Sequence, residues 1–170
     1  AADDSASAYG RSKAAGEAAV RQAFPEAVIL RPSFVFGRED AFTNRFAAML
    51  GMGPVVPVLR AGVRFQPVYV VDVARAVAAA LAAPEKSAGQ TYALAGPDTL
   101  TMAGLLHWLA GATGHRPAFA ELPDPLGALI AMLPGTPITR DQWRMLLADN
   151  VAGDAPGLAA LGIVPTPLAS

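Results

Sequence analysis

The feature that most restricts the fold of this chain is an uncharged, strand-like run, Ala27-Val28-Ile29-Leu30, that follows a helix-like segment. Successive side chains of a strand point to opposite faces, so a run with no polar residue calls for cover on both sides. That is the condition of a strand inside a parallel sheet with helices packed against it. The rest of the chain keeps the same rhythm. A helix is expected from about Ser7 to Phe24, stopped by Pro25, and a loop from Arg31 to Asp40 leads to a helix from about Ala41 to Leu50. Val55 to Leu59 and Arg64 to Val70 read as extended, with Asp72 as the N-cap of a helix from Val73 to Ala83. Thr91 to Ala95 reads as a strand ended by Gly96-Pro97-Asp98. Thr99 or Thr101 then caps a helix through Leu109 that Gly114 closes. A last strand from Ala118 to Leu122 and helices near Leu126 to Leu133 and Thr139 to Ala148 complete the pattern. Strands alternating with helices predict an α/β fold built on a parallel sheet.

Composition narrows the function. The 170 residues can bury a core of their own, and their net charge of −1 with no basic run argues against a nucleic-acid partner. The absence of cysteine excludes a disulfide framework, a thiol nucleophile and a thiolate metal site. His107 and His115 are too isolated to form a metal centre, so no metal is expected. No run approaches the ~18 apolar residues needed to cross a bilayer. The most apolar stretch, Leu126 to Leu133, is bracketed by Pro123, Pro125 and Pro134 and reads as a short buried helix; a membrane- or partner-facing patch is the alternative. The opening Ala1-Ala2-Asp3-Asp4 has no basic region and does not read as a signal peptide.

Chemistry concentrates in the first helix. Tyr9 and Lys13 stand four apart in Ser7-Ala8-Tyr9-Gly10-Arg11-Ser12-Lys13-Ala14-Ala15-Gly16-Glu17, so they share a helix face. A cation beside a phenol favours the phenolate and lets the hydroxyl exchange protons nearer neutral pH. The ammonium also has donors to spare for ribose hydroxyls. Redox chemistry between a carbonyl and an alcohol needs this pairing. The plainer reading is an exposed helix with Lys13 paired to Glu17.

Three stretches resemble the extended or atypical short-chain dehydrogenase/reductases. Tyr9-Gly10-Arg11-Ser12-Lys13-Ala14-Ala15-Gly16-Glu17 looks like the catalytic helix, and Val28-Ile29-Leu30-Arg31-Pro32-Ser33-Phe34-Val35-Phe36-Gly37 like the next strand and its cofactor loop. Arg64-Phe65-Gln66-Pro67-Val68-Tyr69-Val70-Val71-Asp72-Val73-Ala74-Arg75 looks like the element that opens the substrate side. The tail from Leu158 to Leu168 resembles the docking segment that ends extended members. Within the superfamily the chain is most similar to the branch of the dehydrogenase-like accessory subunit of respiratory complex I and its bacterial relatives.

The resemblance implies the C-terminal part of a Rossmann-like parallel sheet plus a small α/β substrate-side lobe. Residues 1–60 would complete the dinucleotide-binding domain, and 61–170 would form the lobe and C-terminal helices. The glycine-rich N-terminal half is absent: no G-x-G-x-x-G occurs, since Gly51-Met52-Gly53 runs into Pro54, and Ser5 and Ser7 lie too close to Tyr9 to supply the family's catalytic serine. By the same resemblance Tyr9 and Lys13 are catalytic and contact the cofactor. Pro32, Ser33, Phe34 and Val35 lie against the nicotinamide, with Pro32 fixing the backbone. Arg64 binds an anionic substrate, with Gln66 and Tyr69 as weaker neighbours. The cofactor is NAD or NADP.

Two functions are implied. One is an NAD(P)-dependent oxidoreductase, epimerase or dehydratase; the other is a non-catalytic nucleotide-binding accessory subunit of a respiratory NADH dehydrogenase complex. Expected partners are the N-terminal half of the same protein, a small-molecule substrate, and a respiratory complex or a second copy. The expected location is the cytoplasm, including the periphery of the inner membrane. The chain alone is expected to bind a dinucleotide poorly and, with the Ala27 to Leu30 strand uncovered, to self-associate.

Overall fold

The computed structural model describes residues 7–133, 139–153 and 157–168. Ala1 to Ser5 and Pro134 therefore lie outside the described residues. The chain divides into two compact units: residues 1–37, 66–99 and 150–170 form unit 1, and 38–65 and 100–149 form unit 2. Both draw on residues from either side of position 60, because the chain leaves unit 1 after Gly37 and returns at Gln66.

Unit 1 opens with α1, Ala8–Ala23, whose N-cap Ser7 accepts the Gly10 N–H at 3.1 Å. Strand β1, Ile29–Pro32, and β2, Val35–Phe36, follow, and the chain comes back as β5, Val68–Tyr69, α3, Val70–Ala82, and a short turn of helix α4, Pro84–Ser87. Strand β6, Thr91–Leu94, and a 3-10 turn at Leu158–Leu161 complete it. β1 runs parallel to β6, with Ile29 opposite Thr91 and Pro32 opposite Leu94, and β2 runs parallel to β5. The core is Val68, Ala76, Tyr92, Leu94 and Leu158, with Leu30, Val35 and Val73 packed against it.

Unit 2 holds α2, Ala41–Leu50, β3, Val55–Leu59, and β4, Arg64–Phe65, then β7, Leu100–Thr101, and α5, Met102–Thr113. It ends with β8, Ala118–Leu122, α6, Asp124–Ile130, and α7, Arg140–Met145. β3 and β8 pair in parallel over five residues, and β4 and β7 pair antiparallel. Val58, Val63, Phe65, Met102 and Leu106 form its core. Parallel pairs joined by helices bear out the α/β fold predicted from the sequence.

Several local expectations are corrected. The strand expected at Ala27 to Leu30 lies two residues later, because its register with β6 carries pairing through Arg31 and Pro32. It is half-buried rather than covered on both faces, and a groove of about 630 Å³ lined by Phe24, Val28, Leu30, Val77 and Leu81 opens beside it. The loop expected from Arg31 to Asp40 contains β2. Helix α3 starts three residues early, with Tyr69 as its N-cap and Asp72 inside the first turn. A carboxylate is favourable there because it faces the positive end of the helix dipole. Asp72 is fully buried, accepts the Thr166 N–H at 2.7 Å and pairs with Arg75 at 3.0 Å. The helix near Leu126 is not buried: Gly127 and Ala131 face inward, while Leu126, Leu129, Met132 and Leu133 are exposed.

Candidate functional site

Tyr9 and Lys13 sit on the first two turns of α1, as the i,i+4 spacing requires, and the Lys13 ammonium lies 5.4 Å from the centre of the Tyr9 ring. Tyr9 is 54% exposed and Lys13 is exposed too. Glu17 does not pair with Lys13. Its carboxylate takes two bonds of 3.0 Å from the Arg31 Nε and one from Nη2. The Arg31 hydrogen bonds hold the Glu17 carboxyl below its ordinary range, and Glu17 raises Arg31 in return.

Two contacts fix where along the sheet Tyr9 and Lys13 lie. Arg21, near the end of α1, donates to the Gly89 carbonyl at 3.0 Å and to the Thr91 hydroxyl, level with the start of β1 and β6. Glu17, one turn earlier, meets Arg31, two residues further along β1. Four helical residues rise about 6 Å and two strand residues about 6.6 Å, so helix and strand run antiparallel in step. Continued in the same direction, the helix carries Lys13 and then Tyr9 beyond the Glu17–Arg31 contact, toward the end of β1 at Pro32. Both therefore stand at the carboxyl end of the parallel strands, where open α/β sheets bind ligands.

The turn after β1 is fixed by the backbone. Ser33 donates its N–H to the Leu94 carbonyl at 2.9 Å, and the Phe34 carbonyl accepts the Val68 N–H at 2.8 Å. Pro32 ends β1 opposite Leu94. The Ser33 hydroxyl does not point away unpartnered: it lies 3.2 Å from the Asn150 carbonyl and 3.1 Å from its side-chain oxygen. Val35 packs against the core of unit 1, so it supports the turn from beneath.

Arg64 belongs to unit 2. Its Nε and Nη2 each lie 2.8 Å from Asp149 Oδ2, and its backbone N–H donates to Oδ1 at 2.8 Å. That N–H, then the guanidinium, hold Asp149 below the ordinary carboxylate range. Asp149 also lines a cavity of about 320 Å³ with Arg60, Glu121, Leu122 and Asp124, where Arg60 pairs with Asp124. Arg64 is not among the residues lining it.

Sequence reasoning missed Asp149, Asn150 and the bracing of α1 by Arg21 and Arg31. The signals were slight: a polar Asp-Asn pair closing a helix-like run, and arginines placed where a helix and strand could meet.

The family model for the RmlD substrate binding domain matches residues 2–121. The chain belongs to that family. The mitochondrial NADH dehydrogenase (ubiquinone) 1 alpha subcomplex subunit 9 of Rattus norvegicus is 41% identical over 168 residues, covering 93% of this chain and 44% of the rat protein. The ceramide reductase of Caulobacter vibrioides is 33% identical over 132 residues, covering 75% of this chain and 41% of that protein. Among solved structures, the dTDP-4-dehydrorhamnose reductase of Bacillus anthracis, in complex with NADP, superposes with a TM-score of 0.59 at 18% identity, covering 90% of this chain and 52% of that one. The chain thus spans about half the length of the proteins it matches, and its α/β fold is Rossmann-like. The resemblance to an extended short-chain dehydrogenase/reductase, and to the respiratory accessory subunit within that group, is met.

The residues present suit one end of a nicotinamide dinucleotide. An exposed ammonium and an exposed phenol stand together at the carboxyl end of the sheet, offering donors to a ribose and a proton to a reacting oxygen. The glycine-rich turn that cradles the pyrophosphate is not in this sequence.

Proposed function

We propose that this chain forms the nicotinamide-facing and substrate-facing part of an extended short-chain dehydrogenase/reductase that binds NAD or NADP. The observation that carries the reading is the Lys13 ammonium 5.4 Å from the Tyr9 ring, both exposed on α1. A bound nicotinamide supplies or accepts hydride. Tyr9 gives a proton to a carbonyl oxygen, or takes one from an alcohol. Lys13 stabilises the phenolate and donates to the ribose. The turn at Pro32 to Val35 shapes the wall of the nicotinamide site. Within unit 2, Arg64 is held by Asp149 and carries the donors that an anionic group would need.

The test uses the complete natural protein. Calorimetry with NADH and NADPH is expected to give saturable binding, and turnover of a carbonyl substrate should be lost in Tyr9→Phe. Absence of binding to either dinucleotide would refute the proposal.

A second reading is favoured by the 41% identity to a respiratory subunit. In it the dinucleotide is held without turnover, and the protein stabilises a membrane-associated electron-transfer assembly. No helix among the described residues is long and apolar enough to cross a membrane. Co-purification with an NADH dehydrogenase, together with bound dinucleotide whose content Tyr9→Phe leaves unchanged, would select this reading.

A further inference from the structure

The chain returns to unit 1 twice, at Gln66 and at Asn150, and these two residues are bonded to each other. The Gln66 N–H donates to the Asn150 carbonyl at 2.9 Å. The same carbonyl is within 3.2 Å of the Ser33 hydroxyl. The Gln66 side chain uses both its ends: Nε2 donates to the Gly96 carbonyl at 2.8 Å, and Oε1 accepts the Ala152 N–H at 2.9 Å. Gly96 in turn donates its N–H to the Pro67 carbonyl at 2.8 Å, so closely that a Cβ at position 96 would collide with that oxygen. The Gln66 side chain thereby ties the turn after β6 to Ala152, while its backbone N–H reaches the turn after β1 through the Asn150 carbonyl that Ser33 also meets.

We infer that Gln66 and Asn150 are positioning residues that hold the Ser33–Phe34 turn in its dinucleotide-facing shape. The inference rests on the dinucleotide reading above and extends it to residues outside α1. Ser33 and Gly96, two of the residues joined, follow the carboxyl ends of β1 and β6. A turn that must meet a ligand with backbone groups loses affinity when it is free to move, because binding then has to order it. Gln66 removes that freedom with hydrogen bonds, not with apolar burial, so its loss should act on the turn more than on the core.

The test compares two ligands on the complete natural protein. NADH or NADPH, whichever it binds, reports the whole site, and ADP reports the adenine and pyrophosphate end alone. Gln66→Leu, similar in size but unable to hydrogen-bond, should weaken dinucleotide binding about tenfold, as expected for lost positioning bonds. ADP affinity should stay unchanged. Asn150→Ala, which keeps the backbone carbonyl, should show a smaller loss with the same selectivity. If Gln66→Leu fails to fold, Asn150→Ala decides the matter by the same ratio. Equal losses for both ligands, or no loss for either, overturn the inference and leave the dinucleotide reading intact. If the unsubstituted protein binds neither ligand, both fall together.

Discussion

Arg31 grips Glu17 through Nε and Nη2, with both carboxylate oxygens 3.0 Å from Nε, so the acid one turn along α1 from Lys13 belongs to the strand and not to the lysine. Among the described residues Lys13 makes no ion pair, and its charge is left beside the Tyr9 ring. The helix is thus braced by one set of charges and offers another. The separation gives the first prediction.

Hydrogen bonding from Arg31 lowers the Glu17 carboxyl below its ordinary value of 4.5. A lowered carboxyl stabilises the fold at pH values above that ordinary value, and the contribution is lost as the pH falls through the lower folded value. Both side chains are partly exposed, so the pair contributes about 1 kcal/mol or less. Glu17→Gln should lower stability slightly in urea unfolding at pH 7, and the difference from the parent should shrink as the pH falls below the ordinary carboxyl value of 4.5. A difference that persists unchanged at pH 3 would show that the carboxylate charge is not the cause.

Tyr9→Phe keeps the ring beside Lys13 and removes only the hydroxyl. In the complete protein, read as an oxidoreductase, kcat should fall by at least about a hundredfold while dinucleotide affinity changes little. Lys13→Met should impair both. Steady-state kinetics with calorimetry separates the two, and a Tyr9→Phe enzyme at near-normal rate rules Tyr9 out as the acid/base.

Gly127 lets α6 sit directly on Trp143. A Cβ there would lie 2.5 Å from ring carbon Cζ3 and 2.7 Å from Cη2 of a nearly buried indole. Gly127→Ala should destabilise unit 2 by about 1–3 kcal/mol, the usual cost of overpacking, despite alanine's better helix propensity. Denaturant unfolding followed by tryptophan fluorescence measures it, and a neutral or stabilising outcome would mean that the contact is easily relieved.

Asp72 reaches across 94 residues to accept the Thr166 N–H, and Asp98 accepts the Leu168 N–H at 2.8 Å. Asp72→Ala leaves that amide without its partner and should cost about 1–3 kcal/mol, with Asp72→Asn losing less because one acceptor oxygen remains. Limited proteolysis should show earlier cleavage within residues 158–168 in the alanine variant. Equal protection in parent and variant would assign the tail's anchoring to Leu158 and Leu168 instead.

Periodicity and punctuation made most of the scaffold legible. Thr101 caps α5 and Gly114 ends it in a left-handed turn with φ of 73°, as their residue types announce. Tyr9 and Lys13 were readable because a helix repeats every 3.6 residues and their spacing needs no tertiary knowledge. What escaped was long-range. Nothing local in Gln66 shows that it will bond Gly96 and Ala152, and nothing in Arg31 shows that it will meet Glu17 rather than solvent. The outward leucines of α6 escaped for a related reason. An apolar octet suggests burial, but Gly127 and Ala131 let the helix lie flat and turn its larger side chains away.

The bond from Asp72 to Thr166 also sets a timetable. As the protein is made, α3 leaves the ribosome long before residue 166 does, and Leu158 of the same core is equally late. Until both arrive, a carboxylate destined for complete burial lacks one of its two partners, and the apolar layer above it lacks a side chain. Unit 1 therefore closes only when residues 158–168 have emerged, whereas unit 2 has all its residues by position 149. During synthesis, unit 2 is the part that can mature first.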